Sequence, residues 1–115
     1  MGEEHAVVTE GGDAIVVLIT ASSREEADRI ARRLVEDRLA ACVNIVPQVQ
    51  SLFVWEQKLS QEDEVLLVIK SRRARFQQLA AAVKQIHSYS VPEIIALPVV
   101  MGSADYLRWV SESTP

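Results

Sequence analysis

The sequence is poor in the residues that carry most protein chemistry. Its 115 residues include one cysteine, Cys42, and two histidines, His5 and His87. One cysteine rules out an intrachain disulfide. One thiol and two imidazoles cannot complete a structural zinc set within one chain. A metal site would have to add carboxylates, water or residues from other subunits. With only four glycines, the chain has no glycine-rich phosphate loop and no dinucleotide fingerprint. The zinc-protease and nucleophile-elbow motifs are missing too. Positive charge is scarce: 12 Lys and Arg face 16 Asp and Glu, a net charge of -4 and a pI near 5.1. That balance argues against phosphate-backbone binding, which needs a basic footprint. Long apolar runs are absent as well. The strongest, Ile15–Ile19 and Val65–Ile69, are far short of the roughly 20 residues a membrane helix needs. Residues 1–13 are acidic and lack the apolar centre of a signal peptide. Ala6 stands where myristoylation expects Ser or Thr. The expectation is a cytoplasmic protein with neither nucleic acid nor membrane as partner.

What remains is an ordinary globular composition, 49% hydrophobic and 24% charged, sized for one domain. Residues 1–12 read as a frayed tail ending at Gly11-Gly12, and 13–115 as the single domain. Ala14–Thr20 is β-branched and apolar, the pattern of a central strand covered on both faces. Ser22 with Glu25 and Ser23 with Glu26 form overlapping capping boxes. They open a helix whose Ala27, Ile30, Ala31, Leu34 and Val35 make one buried stripe. Leu39–Gln57 is extended, with Pro47 at a bulge, bend or edge. Lys58–Asp63 reads as a polar turn, and Glu64–Lys70 as a second doubly buried strand. Ser71 is the expected cap of a helix carrying Phe76, Leu79, Ala80, Val83 and Ile86. Ile94–Val100 with Pro98 predicts an edge or broken strand. A last short helix carries Tyr106, Leu107, Trp109 and Val110. The order βαββαβ plus a terminal helix predicts an α+β, ferredoxin-like sandwich with a long antiparallel ribbon.

Length adds a constraint. Ala41–Gln57 is 17 residues, roughly 56 Å if unbroken at about 3.3 Å each. A compact domain of this size has a radius of gyration of roughly 13 Å. The ribbon must bend or project. Projecting, it exposes Leu52, Phe53, Val54 and Trp55, a patch that calls for a partner, and a second copy is the simplest one.

Three groups of residues could carry chemistry. Cys42 and His87 could form a nucleophile and base, although Cys42 also reads as a small strand hydrophobe. His87-Ser88-Tyr89-Ser90-Val91-Pro92-Glu93 gathers an imidazole, a phenol and a carboxylate. His87 and Glu93 are the candidate metal ligands, suited to copper or zinc. The alternative is that His87 caps a helix end and Glu93 pairs with an arginine. Two or three ligands do not close a tetrahedral site, so binding is expected to be weak, completed by water or another subunit, with no obligatory cofactor. Lys70, Arg72, Arg73 and Arg75 cluster at a helix start, as an anion site or a solvated face. No nucleophile has a clear activator, so no enzyme activity is expected.

Leu39-Ala40-Ala41-Cys42-Val43-Asn44 begins a longer pattern. It continues through Pro47, Ser51, Trp55-Glu56, Glu64, Lys70, His87-x-Tyr89-x-x-Pro92-Glu93 and Tyr106-Leu107-x-Trp109. This pattern resembles the CutA-type divalent-cation tolerance proteins over residues 14 to about 112. The resemblance implies a tight homotrimer with the ribbon packed across subunits, and a role in tolerance of divalent metals, copper above all. The architecture is also similar to the PII signalling trimers. In that alternative a small anionic effector binds between subunits, with Lys70 and Tyr89 as its expected contacts. Three departures stand out. Ser88 replaces a common Pro, Gln57 replaces a usual Gly, and Ile19 and Ile86 stand where some members carry a Cys and a second His. Only His87 remains of that ligand set.

Overall fold

A computed structural model describes residues 6–115. In chain order its elements are β1 (Val8–Glu10), β2 (Ala14–Ala21), α1 (Arg24–Glu36), β3 (Cys42–Trp55), β4 (Lys58–Arg72), α2 (Arg73–Ile86), β5 (Ile94–Pro98), β6 (Met101–Ser103) and α3 (Ala104–Ser113). Four strands form one antiparallel sheet in the order β3-β4-β2-β5, and β1 pairs with β6. The expected frayed tail is thereby corrected: Val8–Glu10 is a strand. Residues 1–5, His5 among them, lie outside the described residues.

The core sits between the sheet and the two long helices. Ile15, Val17, Ile19 and Ala21 of β2 point the same way as Val65, Leu67 and Ile69 of β4. They meet Ala27, Ile30 and Leu34 of α1 and Leu79, Ala82 and Val83 of α2. Val35, expected on the α1 stripe, is exposed. Ser23 caps α1, its Oγ accepting from Glu26 N at 3.1 Å. Ser71 does not cap α2. Its buried Oγ donates to Leu39 O at 2.6 Å, and the N-cap is Arg72 with no side-chain cap bond.

The opposite face differs from expectation. Val16, Leu18 and Thr20 on β2 and Leu66, Val68 and Lys70 on β4 are only half-buried. The continuous apolar runs predicted cover on both faces. Among the described residues, α3 is the helix that lies on this side. Its Val110 and Thr114 are buried, and Arg72 holds its end: Nε donates to Thr114 O at 2.9 Å and Nη1 to Asp13 Oδ2 at 3.2 Å.

The ribbon projects. The long dimension is 65 Å against 26 and 22 Å, with a radius of gyration of 16.2 Å, beyond the roughly 13 Å of a compact domain. The β3–β4 register shifts between Val46 and Val49, around Pro47, because proline has no N–H for the ladder. The reversal is not the polar stretch 58–63, which lies within β4. It is the two-residue turn Glu56-Gln57, with φ of 51° and 69°. Both positive angles match the strand twist of a tight hairpin.

Candidate functional site

A polar cluster sits where the ribbon leaves the sheet. β2 supplies the Thr20 carbonyl, α1 supplies Glu26 from its first turn, and β4 supplies Glu64. The chain leaving α2 supplies His87, Ser88 and Tyr89. The His87 side chain has 0% exposure. Its Nε2 lies 2.7 Å from Thr20 O, so Nε2 carries the proton and donates. Its Nδ1 accepts from Tyr89 N at 3.0 Å. That assigns the tautomer from its partners. The Tyr89 hydroxyl donates to Glu64 Oε2 at 2.8 Å, and the two rings lie 4.8 Å apart. Glu26 is buried as well. Its Oε1 accepts from Ser22 N at 2.9 Å and from Ser22 Oγ at 3.1 Å, and its Oε2 accepts from Ser88 N at 2.8 Å.

Burial and charge pull the two acids in opposite directions. Burial alone would raise the Glu26 carboxyl, but hydrogen bonds from Ser22 and Ser88 and the nearby His87 ring hold it below its ordinary value. The Tyr89 phenol is pushed well above its ordinary value. Burial is the largest cause, followed by the hydrogen bond to Glu64 and the charges of Glu64, Glu26 and Glu62. The cluster is therefore fixed at neutral pH as an ionised carboxylate, a neutral phenol and an imidazole with both nitrogens in use.

The two expected metal ligands meet only in part. Extending the β2–β5 register by one residue from Ile19↔Ile94 sets Glu93 opposite Thr20, whose carbonyl holds His87. The Glu93 side chain itself is exposed. His87 has no free ring nitrogen in this arrangement. Among the described residues no group of three His, Cys, Asp or Glu side chains is placed to hold a metal. The donors of one protomer therefore do not fit a closed metal site.

The expected effector contacts do not come together within a protomer. Lys70 lies six residues along β4 from Glu64, the partner of Tyr89, or about 20 Å away. Its ammonium donates to Asn44 Oδ1. Cys42 is its cross-strand neighbour and is half-buried. The Tyr106 phenol of α3 is pushed up by burial and, second, by the charge of Cys42. Thr20, which binds His87, pairs with Leu66, four residues along β4 from Lys70. The distance of about 13 Å keeps Cys42 and His87 from acting as nucleophile and base. The arginine run is dispersed too: Arg72 holds Asp13 and Thr114, and Arg75 donates to Gln78 at 2.8 Å.

Glu26, Glu64 and the Thr20 carbonyl are the residues that the sequence reading missed as site members. Glu26 was accounted for locally, as the far end of a capping box. Its carboxylate binds Ser22, not the cap residue Ser23, and turns its second oxygen to Ser88. The signal in the sequence is the doubling of Ser-x-x-Glu, since one helix needs only one such box.

The fold is shared with known proteins. The family model described as CutA1 divalent ion tolerance protein matches residues 15–113. The divalent-cation tolerance protein CutA of Thermus thermophilus is 48% identical over 99 residues, covering 86% of this chain and 96% of its own. A chloroplastic CutA protein of Arabidopsis thaliana is 45% identical over 101 residues, or 88% of this chain and 56% of that one. The solved structure of the Thermus thermophilus protein superposes with a TM-score of 0.87 at 47% identity, covering 89% of this chain and 99% of that one. CutA1 from Oryza sativa superposes with a TM-score of 0.88 at 42% identity, covering 90% and 95%. The Thermus thermophilus relative is named for tolerance of divalent cations, and no described helix of this chain is long and apolar enough to cross a membrane. A match that runs from the first long strand to the end of α3, on a fold of the same course, places this chain in the CutA1 divalent ion tolerance family.

Proposed function

We propose that this chain acts in divalent-cation tolerance as a non-catalytic, cytoplasmic homotrimer of ferredoxin-like subunits. The observation that carries the reading is the half-exposed apolar sheet face. It runs from Val16, Leu18, Leu66 and Val68 out to Phe53 and Trp55 on the ribbon. β3 and β5 also leave free edges on opposite sides of the same sheet. Opposite edges favour a head-to-tail ring, which closes when the rotation allows. The number three comes with the family resemblance. Light scattering coupled to size exclusion is expected to give about three times the 12.8 kDa subunit mass. A monomer at micromolar concentration would overturn this assembly.

Cation contact in this reading is weak and completed by water, with copper or zinc favoured because His87 is the one strong ligand. Glu93 is the nearby carboxylate. The weakness has a physical cause. A metal at His87 must displace the Tyr89 N–H from Nδ1 or the Thr20 carbonyl from Nε2, leaving a buried group unpaired at about 1–3 kcal/mol. Calorimetry with copper or zinc checks this against His87→Ala and His5→Ala. Heat that survives His87→Ala and vanishes with His5→Ala removes His87 from the reading.

The second reading is a PII-like effector module. Lys70 favours it, because its ammonium lies on the sheet face that the trimer would cover, with one neutral partner. A small anion between copies would compensate that charge. A thermal-shift screen of nucleotides and organic anions tests it, with Lys70→Met expected to cancel any stabilising hit.

A further inference from the structure

The N-terminal strand lies outside the 15–113 family match and touches the part of the fold that holds α3. Its register with β6 is Val8↔Ser103, Thr9↔Gly102 and Glu10↔Met101. Gly11 N donates to Val100 O at 2.9 Å and Ala104 N to Val7 O at 2.8 Å. In an antiparallel ladder the hydrogen-bonded pairs alternate, so Thr9↔Gly102 between them is also a bonded pair. The contact at Ala104 is the telling one. Ala104 is the first residue of α3, and its N–H is one of the donors a helix start leaves without an intrahelical partner. Behind the ladder, Gly102 faces Leu107 of α3 so closely that a Cβ there would lie 3.2 Å from the leucine. β6 is thus held at its edge by β1 and on its face by α3.

The entry to this strand is built for one path. A Cβ on Gly11 would fall 1.6 Å from Val99 O, and Gly12 has φ +57°. Yet β1 brings almost no apolar burial: all three of its residues are exposed. A cleft of about 700 Å³ lined by Thr9, Asp105, Leu107 and Arg108 separates it from α3. Main-chain bonds with few apolar contacts are the mark of a segment that opens at low free energy.

We propose that residues 7–10 are a strap that closes over the β6–α3 junction and, when it opens, loosens α3 from the β2–β4 sheet face that it covers. Closed, the strap pairs β6 and the first N–H of α3. Open, it leaves β6 with an unpaired edge and α3 held mainly by Val110 and the Arg72–Thr114 bonds at its far end. α3 packs on β4 and β2 as well as on β6, and its far end is fixed at Arg72, so its first turns, nearest the strap, are the part that the strap controls.

Hydrogen exchange on the full-length chain tests it, with Thr9→Pro as the variant. Thr9 is exposed, so the proline removes one ladder donor and no core contact. The expected result is exchange at least about tenfold faster in residues 101–110, with β2 and the body of β4 at wild-type rates. Thr9→Ala, which keeps the donor, is expected to restore wild-type rates. Acceleration confined to 101–103, with α3 unchanged, would overturn the proposal. Equal acceleration of β2 and β4 would overturn it as well, since the strap would then be part of the global fold.

Discussion

The sheet body and the ribbon are made of the same two strands, yet they obey different rules. In β4 the change falls at Glu64. From Val65 to Ser71 every second side chain is buried against α1 and α2. From Lys58 to Asp63 the side chains are nearly all exposed, and Leu59 keeps 74% of its surface in solvent. β3 divides more weakly at Pro47: Val43 and Ile45 before it pack against the core, and no residue of the strand is fully buried. Both stretches pair continuously apart from the shift at Pro47, although Lys58–Asp63 is polar and Val65–Ile69 is apolar. They differ in what lies on top of them, since the helices reach only to the body. Strand formation in the ribbon therefore rests on its own ladder and tight turn, and its apolar surface is available to another copy.

The largest test of this contrast is Leu67→Ala. Leu67 is fully buried under both helices, and its truncation is expected to cost about 2–5 kcal/mol in chemical denaturation. Next comes the junction. Glu26→Ala leaves the N–H groups of Ser22 and Ser88 without their acceptor, an expected loss of about 1–3 kcal/mol. Its pH dependence has a definite sign. The Glu26 pKa is lowered in the fold, so its contribution is present above the unfolded value and is lost as pH falls through the lower folded value. Denaturation curves across pH 2–7 are expected to show an acid-side loss that the variant lacks. Tyr89 is the mirror case. Its raised pKa favours the neutral phenol in the fold, so stability falls as pH rises above the ordinary tyrosine value, and Tyr89→Phe is expected to flatten that limb.

At the ribbon tip the expected sign reverses. Gln57→Gly relieves a left-handed residue and is expected to stabilise by about 1 kcal/mol. The smallest effect on the protomer sharpens the contrast most. Trp55→Lys, on the half-exposed tip of the ribbon, is expected to change secondary structure by less than the error of circular dichroism, yet to lower the assembled mass in light scattering. An unchanged mass would show that the ribbon surface is not a contact between copies.

Local sequence signals found the helices, the bulge at Pro47 and the edge character of β5, because periodicity and proline act over a few residues. They failed at the hairpin, where the polar stretch 58–63 looked like a turn. The actual reversal uses Glu56 and Gln57, a pair with no glycine to mark it. They also failed at Ser71, whose hydroxyl finds the Leu39 carbonyl 32 positions away. The candidate site was half legible. His87 and Tyr89 stand out as a motif, but Glu26 and Glu64 are charged residues like many others until the fold buries them.

The sequence by itself determined the order of the four main strands and three helices, the long reach of β3 and the family, since these depend on pattern and spacing along the chain. Only the tertiary structure decided which side chains share the polar cluster, that His87 spends both ring nitrogens inside it, and that Val8–Glu10 joins β6. Those outcomes depend on contacts between residues tens of positions apart. A buried donor or acceptor must find whatever partner the fold brings within about 3 Å, and no local pattern announces that partner.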